Sequence, residues 1–260
     1  MNAYIAAGAI PKEDDPLYSY TKGKPKAMLP LAGQPMIQWV LDALNGSKEI
    51  ERVAIVGLES GQNFHSDKPL TYIANQGELL LNALAGLAWV HEVEPDAQYA
   101  LFCSADLPTV SAEMVDWRIG VTMERLPFDL DYAVVTQEAM EDRFPQSNRS
   151  FVAFRDAKVC GADMNLLKVD LAVRSDFWRR MIKARKSAWR QASLFGFDLL
   201  LLLLMRRLTL RQAEQRASER LGLTGHLQVA PFPELAMDVD RPHQLELIQQ
   251  HMERPAAGDS

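Results

Sequence analysis

The stretch TYIANQGELLLNALAGLAWVHEVEPDAQYALFCSADLPT, residues 71–109, is the part of the sequence that indicates the fold most directly. Residues 71–74 form a short strand-like run, and residues 78–93 are apolar over the length of a helix. Residues 99–104 are again apolar and strand-like, and the loop 105–109 follows them. A strand, a helix and a second strand in this order predict a crossover unit of a parallel sheet.

The rest of the N-terminal half continues this alternation. We predict strands at 3–9 and 51–57, an amphipathic helix at 36–44, and a long polar loop over residues 10–25. The predicted fold class is α/β, with a Rossmann-like, mixed but mostly parallel sheet that is flanked by helices. Ligands of such sheets bind at the carboxyl ends of strands, and Gly8 and Asp106 each follow a predicted strand.

The C-terminal half is less regular. Its predicted elements are strands at 131–136, 150–154, 165–169, 229–230 and 237–239, and a closing helix at 242–252. Residues 176–222 are helical in pattern and rich in Arg and Leu. We interpret them as a helical insertion in a single domain that spans residues 1–253, and we expect the tail 254–260 to be disordered.

The composition excludes several classes of protein. The 260 residues carry a net charge of −6 and a pI of about 5.4, so no nucleic-acid partner is expected. The two cysteines are far apart and form no CxxC, which excludes a zinc site of the cysteine type and a disulfide framework. The first residues do not have the pattern of a secretory signal, and the apolar run 199–205 is too short to cross a bilayer. We therefore expect a cytoplasmic protein.

Two segments contain residues of the kind that bind nucleotides. AAGA, residues 6–9, lets main-chain N–H groups approach a base or a phosphate, although a plain strand-to-loop turn has the same composition. TKGKPKAMLPLAGQPM, residues 21–36, places three lysines within five residues. Their charge suits a triphosphate, and the alternative is a solvated basic loop.

Two further segments contain carboxylates that suit Mg²⁺. Asp106 ends an apolar strand, where a charge is costly unless it is paired or bound to metal; the alternative is a turn cap. In MDVDRPHQLELI, residues 237–248, Asp238 and Asp240 flank one apolar residue and share a face of a strand. Asp240 also precedes Arg-Pro and a helix, so it is a candidate N-cap as well as a metal ligand.

In this order, the four segments resemble the MobA-like NTP transferases of the sugar-phosphate nucleotidyltransferase superfamily, which have a GT-A-type fold. The resemblance covers roughly residues 3–118 and 236–250. Its most specific part is KPKAMLPLAGQPMIQWVLDAL, residues 24–44, in which the matching positions are Lys26, Leu29, Gly33, Pro35 and Met36. The resemblance implies Mg²⁺-dependent transfer of a nucleoside monophosphate from an NTP to a small sugar, polyol or cofactor phosphate, with release of pyrophosphate.

The resemblance also implies the residues of the site. Lys26, Asp106 and Asp240 are implied as catalytic, with Mg²⁺ on Asp106 and Asp240 and with Asp238 as a further ligand. The implied nucleotide-binding residues are Ala6, Ala7, Gly8, Lys26, Gln76, Gly77, Glu78, Ser104 and Ala105. For the acceptor, our candidates are Asp163 and Asn165, in the segment CGADMN.

One loop departs from the family pattern. The usual loop, G-x-G-[TS]-R-[ML], has an Arg that grips the triphosphate, whereas AIPKEDDPLYSYTKGKPK, residues 9–26, contains none. We expect Lys22 or Lys24 to substitute as a nucleotide-binding point charge, although Lys cannot reproduce a bidentate contact.

Two other functions stay open at this point. A glycosyltransferase that uses a nucleotide sugar has the same fold, but it usually carries D-x-D where this chain has Ser104-Ala105-Asp106. The second alternative is a catalytically inactive nucleotide-binding or regulatory protein, which the missing Arg favours.

The insertion 176–222 has three interpretations. The first is a lid that captures an acidic acceptor, and the second is a surface helix on an anionic membrane. The third is a helical subdomain whose leucines pack in the core or in a homodimer interface. We favour the third.

Overall fold

The structure is a computed structural model that describes residues 1–174, 178–179, 181 and 196–253. The strands are β1 (Asn2–Ala6), β2 (Pro30–Leu31), β3 (Gln34–Pro35), β4 (Arg52–Val56), β5 (Leu70–Ile73), β6 (Tyr99–Ser104), β7 (Leu130–Thr136), β8 (Val152–Ala153), β9 (Lys158–Gly161), β10 (Met164–Lys168) and β11 (Gly225–Val229). The α-helices with given bounds are α1 (Tyr18–Thr21), α2 (Met36–Gly46), α3 (Leu79–Val93), α4 (Ala112–Met123), α5 (Gln137–Arg143), α6 (Phe197–Leu204), α7 (Leu210–Leu221) and α8 (Pro242–Glu253).

Within the described ranges, nine strands form one mixed sheet in the order β5-β4-β1-β6-β10-β7-β9-β8, with β11 paired to β7. The neighbours β5, β4, β1 and β6 are parallel, and β11 is parallel to β7. Strand β10 runs antiparallel to both β6 and β7, so β7 points in the same direction as β6. The predicted fold class, a mostly parallel sheet flanked by helices, is confirmed.

Most predicted elements of the N-terminal half are present with small shifts in their ends. The predicted strands 3–9, 51–57 and 71–74 correspond to β1, β4 and β5, and the strand predicted at 99–104 has the bounds of β6. The helices predicted at 36–44 and 78–93 correspond to α2 and α3. Continuous apolar runs made these elements predictable, because both faces of the sheet are covered.

Three predicted strands of the C-terminal half differ from the structure. Residues 237–239 are not a strand, because Val239 makes a single main-chain bond to Asp106 (N to O, 3.2 Å) and joins no ladder. The strand predicted at 150–154 is only Val152–Ala153, and the one at 229–230 is the end of β11. Helices α4 and α5 and strand β9 were not predicted.

The predicted insertion is only partly visible. Within 176–222, helices α6 and α7 confirm the helical pattern. Residues 205–209 between them are not helical, and Thr209 is the N-cap of α7. Residues 176–177, 180 and 182–195 of the insertion, and the tail 254–260, lie outside the described residues. None of the helices in the described part is both long and apolar enough to cross a membrane.

Alternate residues of β1 point to opposite faces of the sheet and enter different buried clusters. Ala3 and Ile5 belong to the cluster that contains α2 and α4, whereas Tyr4 belongs to the cluster that contains α3. Gly86 of α3 lies against the Tyr4 ring, and a Cβ at residue 86 would be 2.2 Å from the Cδ2 atom of Tyr4. The absence of a side chain at Gly86 therefore allows α3 to approach β1.

Gly86→Ala should lower the free energy of unfolding by about 1–3 kcal/mol, because the fully buried Tyr4 ring has no space into which to move. The gain in helix propensity, about 1 kcal/mol, offsets only part of this cost. Gly120→Ala in α4 is the matched control, since its Cβ would meet nothing within 4 Å. Urea unfolding of both variants measures the difference; equal effects would show that the contact between α3 and β1 is not tight.

Candidate active site

The candidate site lies at the edge of the sheet where β1, β4, β5 and β6 end. Because these strands are parallel, the loops that follow them meet at one edge. Gly57, after β4, has φ of +111°, and a Cβ there would lie 2.3 Å from the Cα atom of Gly8. The two glycines thus allow the loops after β1 and β4 to touch through main chain.

A pair of asparagine amides fixes the loop after β1. Asn75 donates from Nδ2 to the carbonyl of Gly8 (2.8 Å), and Asn82 donates from Nδ2 to Asn75 Oδ1 (3.1 Å). A Cβ at Gly8 would lie 2.6 Å from each of these amides. Asn82 also accepts from the Gln76 N–H (2.7 Å). The amides therefore couple the loop at Gly8 to the start of α3.

Lys26 is held at the same edge by its main chain and its side chain. Its N–H donates to the carbonyl of Ala9 (2.8 Å), which places it beside the loop after β1. Its buried ammonium forms ion pairs with Asp106 Oδ2 and with Asp240 Oδ1, the latter at 2.6 Å. Burial alone would lower the pKa of Lys26, but these two carboxylates outweigh it and raise the pKa.

Three carboxylates meet around this lysine. Asp106, Asp238 and Asp240 each offer an oxygen, and these oxygens lie within 4.8 Å of one another. The main-chain bond from Val239 to Asp106 holds the segment between the two C-terminal aspartates against the end of β6. The two distant acidic segments that the sequence singled out are therefore neighbours, and they could hold a divalent ion.

A cation that the sequence did not indicate lies behind this cluster. The Arg149 guanidinium forms an ion pair with Asp238 Oδ1, and both side chains are mostly buried. The residues before Arg149 are held by α8, because Gln244 donates to the carbonyl of Ser147 (3.2 Å). Arg149 therefore neutralises the carboxylate that Lys26 does not contact.

Asp163 is a further acidic residue of the site. It lies between β9 and β10, where its carbonyl accepts from the Ser104 N–H (2.9 Å) and its own N–H donates to Leu235 (3.0 Å). Burial, and then the nearby charge of Asp106, raise the pKa of Asp163 to about 7. At neutral pH this carboxyl is therefore present in both its protonated and its ionised form.

These groups line a cavity of about 730 Å³. Its lining includes most of the predicted site residues: Ala6, Ala7, Gly8, Lys26, Gly77, Glu78, Ser104, Ala105, Asp106, Asp163, Asp238 and Asp240. The loop over residues 10–25 contributes Ile10, Pro11, Asp15 and Leu17 to the wall, and no cation. The cavity thus combines a main-chain surface on one side with a carboxylate cluster and a lysine on the other.

Comparison with known proteins agrees with this arrangement. The family model of the MobA-like NTP transferase domain matches residues 19–124. A solved structure, a hypothetical transferase from Thermus thermophilus, is 30% identical over 94% of this chain and 98% of that chain, with a TM-score of 0.79. The chain belongs to the MobA-like NTP transferase family.

More distant structures share the fold of this family member. The chain superposes on the 4-diphosphocytidyl-2C-methyl-D-erythritol synthase from Anaerococcus prevotii with a TM-score of 0.59 and 11% identity, covering 97% of this chain and 96% of that one. It also superposes on a CMP:2-keto-3-deoxy-manno-octonic acid synthetase complexed with CTP, with a TM-score of 0.59 and 15% identity, covering 97% of this chain and 98% of that one. No curated protein sequence matches the chain.

Four predicted residues of this family member lie outside the cavity lining. Lys22 and Lys24 are exposed, and Lys24 lines a neighbouring cavity with Gly57 and Asn75. The exposed Gln76 folds back onto the carbonyl of Ala74 (2.7 Å). Asn165 is buried, and its amide bonds the main chain of Ala133 and Ala162, so it supports β10.

Sequence reasoning also missed residues that shape the site. Asn82 was detectable in principle, since it is an amide inside an apolar helix and buried polar groups need partners. Arg149, in contrast, lies in an irregular segment without a motif, and only the tertiary structure places it beside Asp238.

Asp163→Asn should stabilise the metal-free protein, and more so at pH 8 than at pH 5. In the unfolded chain the pKa of Asp163 is near 3.8, whereas in the folded chain it is about 7. Between these values the folded state binds more protons, so the carboxylate lowers stability as the pH rises, and the amide removes this cost. Melting temperatures with EDTA at the two pH values measure the gain, which we expect to be a few degrees.

The control for this prediction is Asp96→Asn, which removes an exposed carboxylate elsewhere on the surface. A gain for Asp163→Asn that was the same at both pH values would contradict the raised pKa.

Proposed function

We propose that this chain transfers a nucleoside monophosphate from an NTP to a small phosphorylated acceptor, with release of pyrophosphate. The observation that supports this most strongly is the meeting of Asp106, Asp238 and Asp240 around Lys26, beside the main-chain loop at Gly8. Membership of the NTP transferase family supports the nucleotidyl donor. The phosphorylated acceptor is the part of the proposal that comes from the resemblance of the sequence motifs, since the family match specifies no acceptor.

The residues present fit Mg²⁺. All three ligands in the cluster are carboxylates, which is the donor type that Mg²⁺ prefers. The Oδ1 atom of Asp106 is buried and has no hydrogen-bond partner, so it is left for an ion or a substrate. We assign the ion to Asp106 and Asp240, with Asp238 as a further ligand. When bound, Mg²⁺ supplies positive charge that offsets the charge of the reacting phosphates.

The nucleotide would bind along the loops at the ends of β1, β5 and β6. The main chain at Ala6, Ala7 and Gly8 lines the cavity where its base or ribose would lie, and Gly77 and Glu78 line the same cavity. The asparagine pair fixes this surface before the nucleotide arrives, and a preformed surface lowers the entropic cost of binding.

Lys26 would act on the triphosphate. Among the described residues that line the cavity, Lys26 is the one lysine or arginine, and its positive charge favours approach of an anionic acceptor to the α-phosphate. An acceptor phosphate is already ionised at neutral pH, so in-line attack requires no general base. The chain mainly positions the reactants and neutralises their charge.

The acceptor would bind on the side of Asp163. This carboxyl lies in the cavity wall, and in its protonated form it can donate a hydrogen bond to a phosphate or a hydroxyl group. Arg149 adds positive charge behind Asp238 on the same side, which reduces the repulsion that an anionic acceptor would meet.

Asp106→Asn should reduce the rate of pyrophosphate release by about a thousandfold, since the site loses the charge of the ligand that is central to the cluster. The fold should persist, because the substitution is isosteric and removes a negative charge from among other carboxylates. Asp96→Asn, on the exposed surface, is the control. Normal turnover by Asp106→Asn would refute the assignment of this residue.

The reaction itself is tested by measuring pyrophosphate release with Mg²⁺, each of the four NTPs, and a panel of sugar, polyol and cofactor phosphates. Nucleotide sugars with acceptor alcohols form a second panel, in which a glycosyltransferase would release a nucleoside diphosphate. Binding of an NTP, seen as a thermal shift, without turnover on either panel would identify an inactive nucleotide-binding protein and overturn the proposal.

A further inference from the structure

Lys26 contacts the same carboxylates that we assign to the ion. Its ammonium bonds Asp106 Oδ2 and Asp240 Oδ1, and it is buried between them. Mg²⁺ binds carboxylate oxygens at about 2.1 Å, so even on the Oδ1 atom of Asp106, which Lys26 leaves unpartnered, it would lie close to the ammonium and be repelled by its charge. The lysine and the ion therefore weaken each other's binding as long as Lys26 stays in this position.

The remaining carboxylate of the cluster is neutralised as well. Asp238 is paired with Arg149, so in the metal-free protein each of the three carboxylates already has a cationic partner. A site with internal counter-ions has less to gain from binding a divalent cation than a site with bare carboxylates.

The lysine has a place to which it can move. Its main chain is fixed to Ala9, but its four-carbon side chain is flexible and lines the cavity of about 730 Å³. A triphosphate bound at the loop after β1 would offer the ammonium a new anionic partner.

We propose that Lys26 is the internal counter-ion of the metal site and that nucleotide binding removes it from Asp106 and Asp240. Nucleotide and divalent ion then bind cooperatively, and each raises the affinity for the other by the same factor. The metal-free, nucleotide-free protein binds divalent ions weakly for the same reason. This inference rests on the proposed function, because it takes the same carboxylates as the metal ligands.

The test is a titration with Mn²⁺, followed by electron paramagnetic resonance, in the absence of nucleotide. Lys26→Met should bind Mn²⁺ about tenfold more tightly than the wild-type chain, since the competing charge is gone. Lys26→Gln should behave in the same way, and it retains a polar group between the carboxylates. Lys48→Met removes an exposed positive charge far from the cluster in sequence and should leave the Mn²⁺ affinity unchanged.

A thermal shift checks that the Mn²⁺ binds the folded variants. Addition of Mn²⁺ should raise the melting temperature of Lys26→Met more than that of the wild-type chain. Adding Asp106→Asn to Lys26→Met should abolish the tight site, which locates the ion in the cluster. Equal or weaker Mn²⁺ binding by both Lys26 variants would overturn the inference.

The titration involves no turnover, so its outcome is separate from that of the transfer assay. Tighter Mn²⁺ binding by the variants together with an inactive wild-type chain would leave the counter-ion role standing and refute the proposed reaction. An active wild-type chain whose Lys26 variants bind Mn²⁺ no more tightly would refute the counter-ion role alone.

Discussion

The ion pairs of Lys26 with Asp106 and Asp240 join three segments that are distant in sequence. Carboxylates repel one another when they are brought to one edge of a sheet, so the arrangement requires positive charge among them. Lys26 and Arg149 provide it from two different loops. The site is therefore assembled by charge as much as by packing, and the same charges determine which ligands it accepts.

The sheet topology explains why these segments meet. Four parallel strands end at the edge that contains Gly8, Asn75 and Asp106, so their loops share one surface. Strands β9 and β10 run in the opposite direction, one after the other, and Asp163 lies in the break between them, where its carbonyl accepts from the Ser104 N–H. This break in an antiparallel run thus adds an acidic residue to a surface otherwise formed by strand ends.

The elements and site residues that could be predicted from the sequence are those with a local sequence pattern. β6 and Asp106 were predictable, because a buried apolar run followed by an isolated carboxylate is a local pattern. The contact between Asp238 and Asp240 and the end of β6 was predicted through a resemblance, although the strand assigned to them was wrong. The role of Asn165 depends on the register of β10 with β7, and the position of Arg149 depends on the contact of its segment with α8. No local pattern specifies either.

The direction of β10 and β11 also determines where the helical segment is attached. β10 leads away from the cavity to Lys168, and β11 starts at Gly225 and returns toward it, so the polypeptide between them departs from and rejoins the sheet at the opposite edge. The same connection also touches the turn between β8 and β9, where Arg155 donates to the Leu208 carbonyl (2.7 Å) and Leu210 donates to Asp156 Oδ1 (3.0 Å). The helical segment is therefore tied to the strand that leads to Asp163 as well as to the far edge of the sheet.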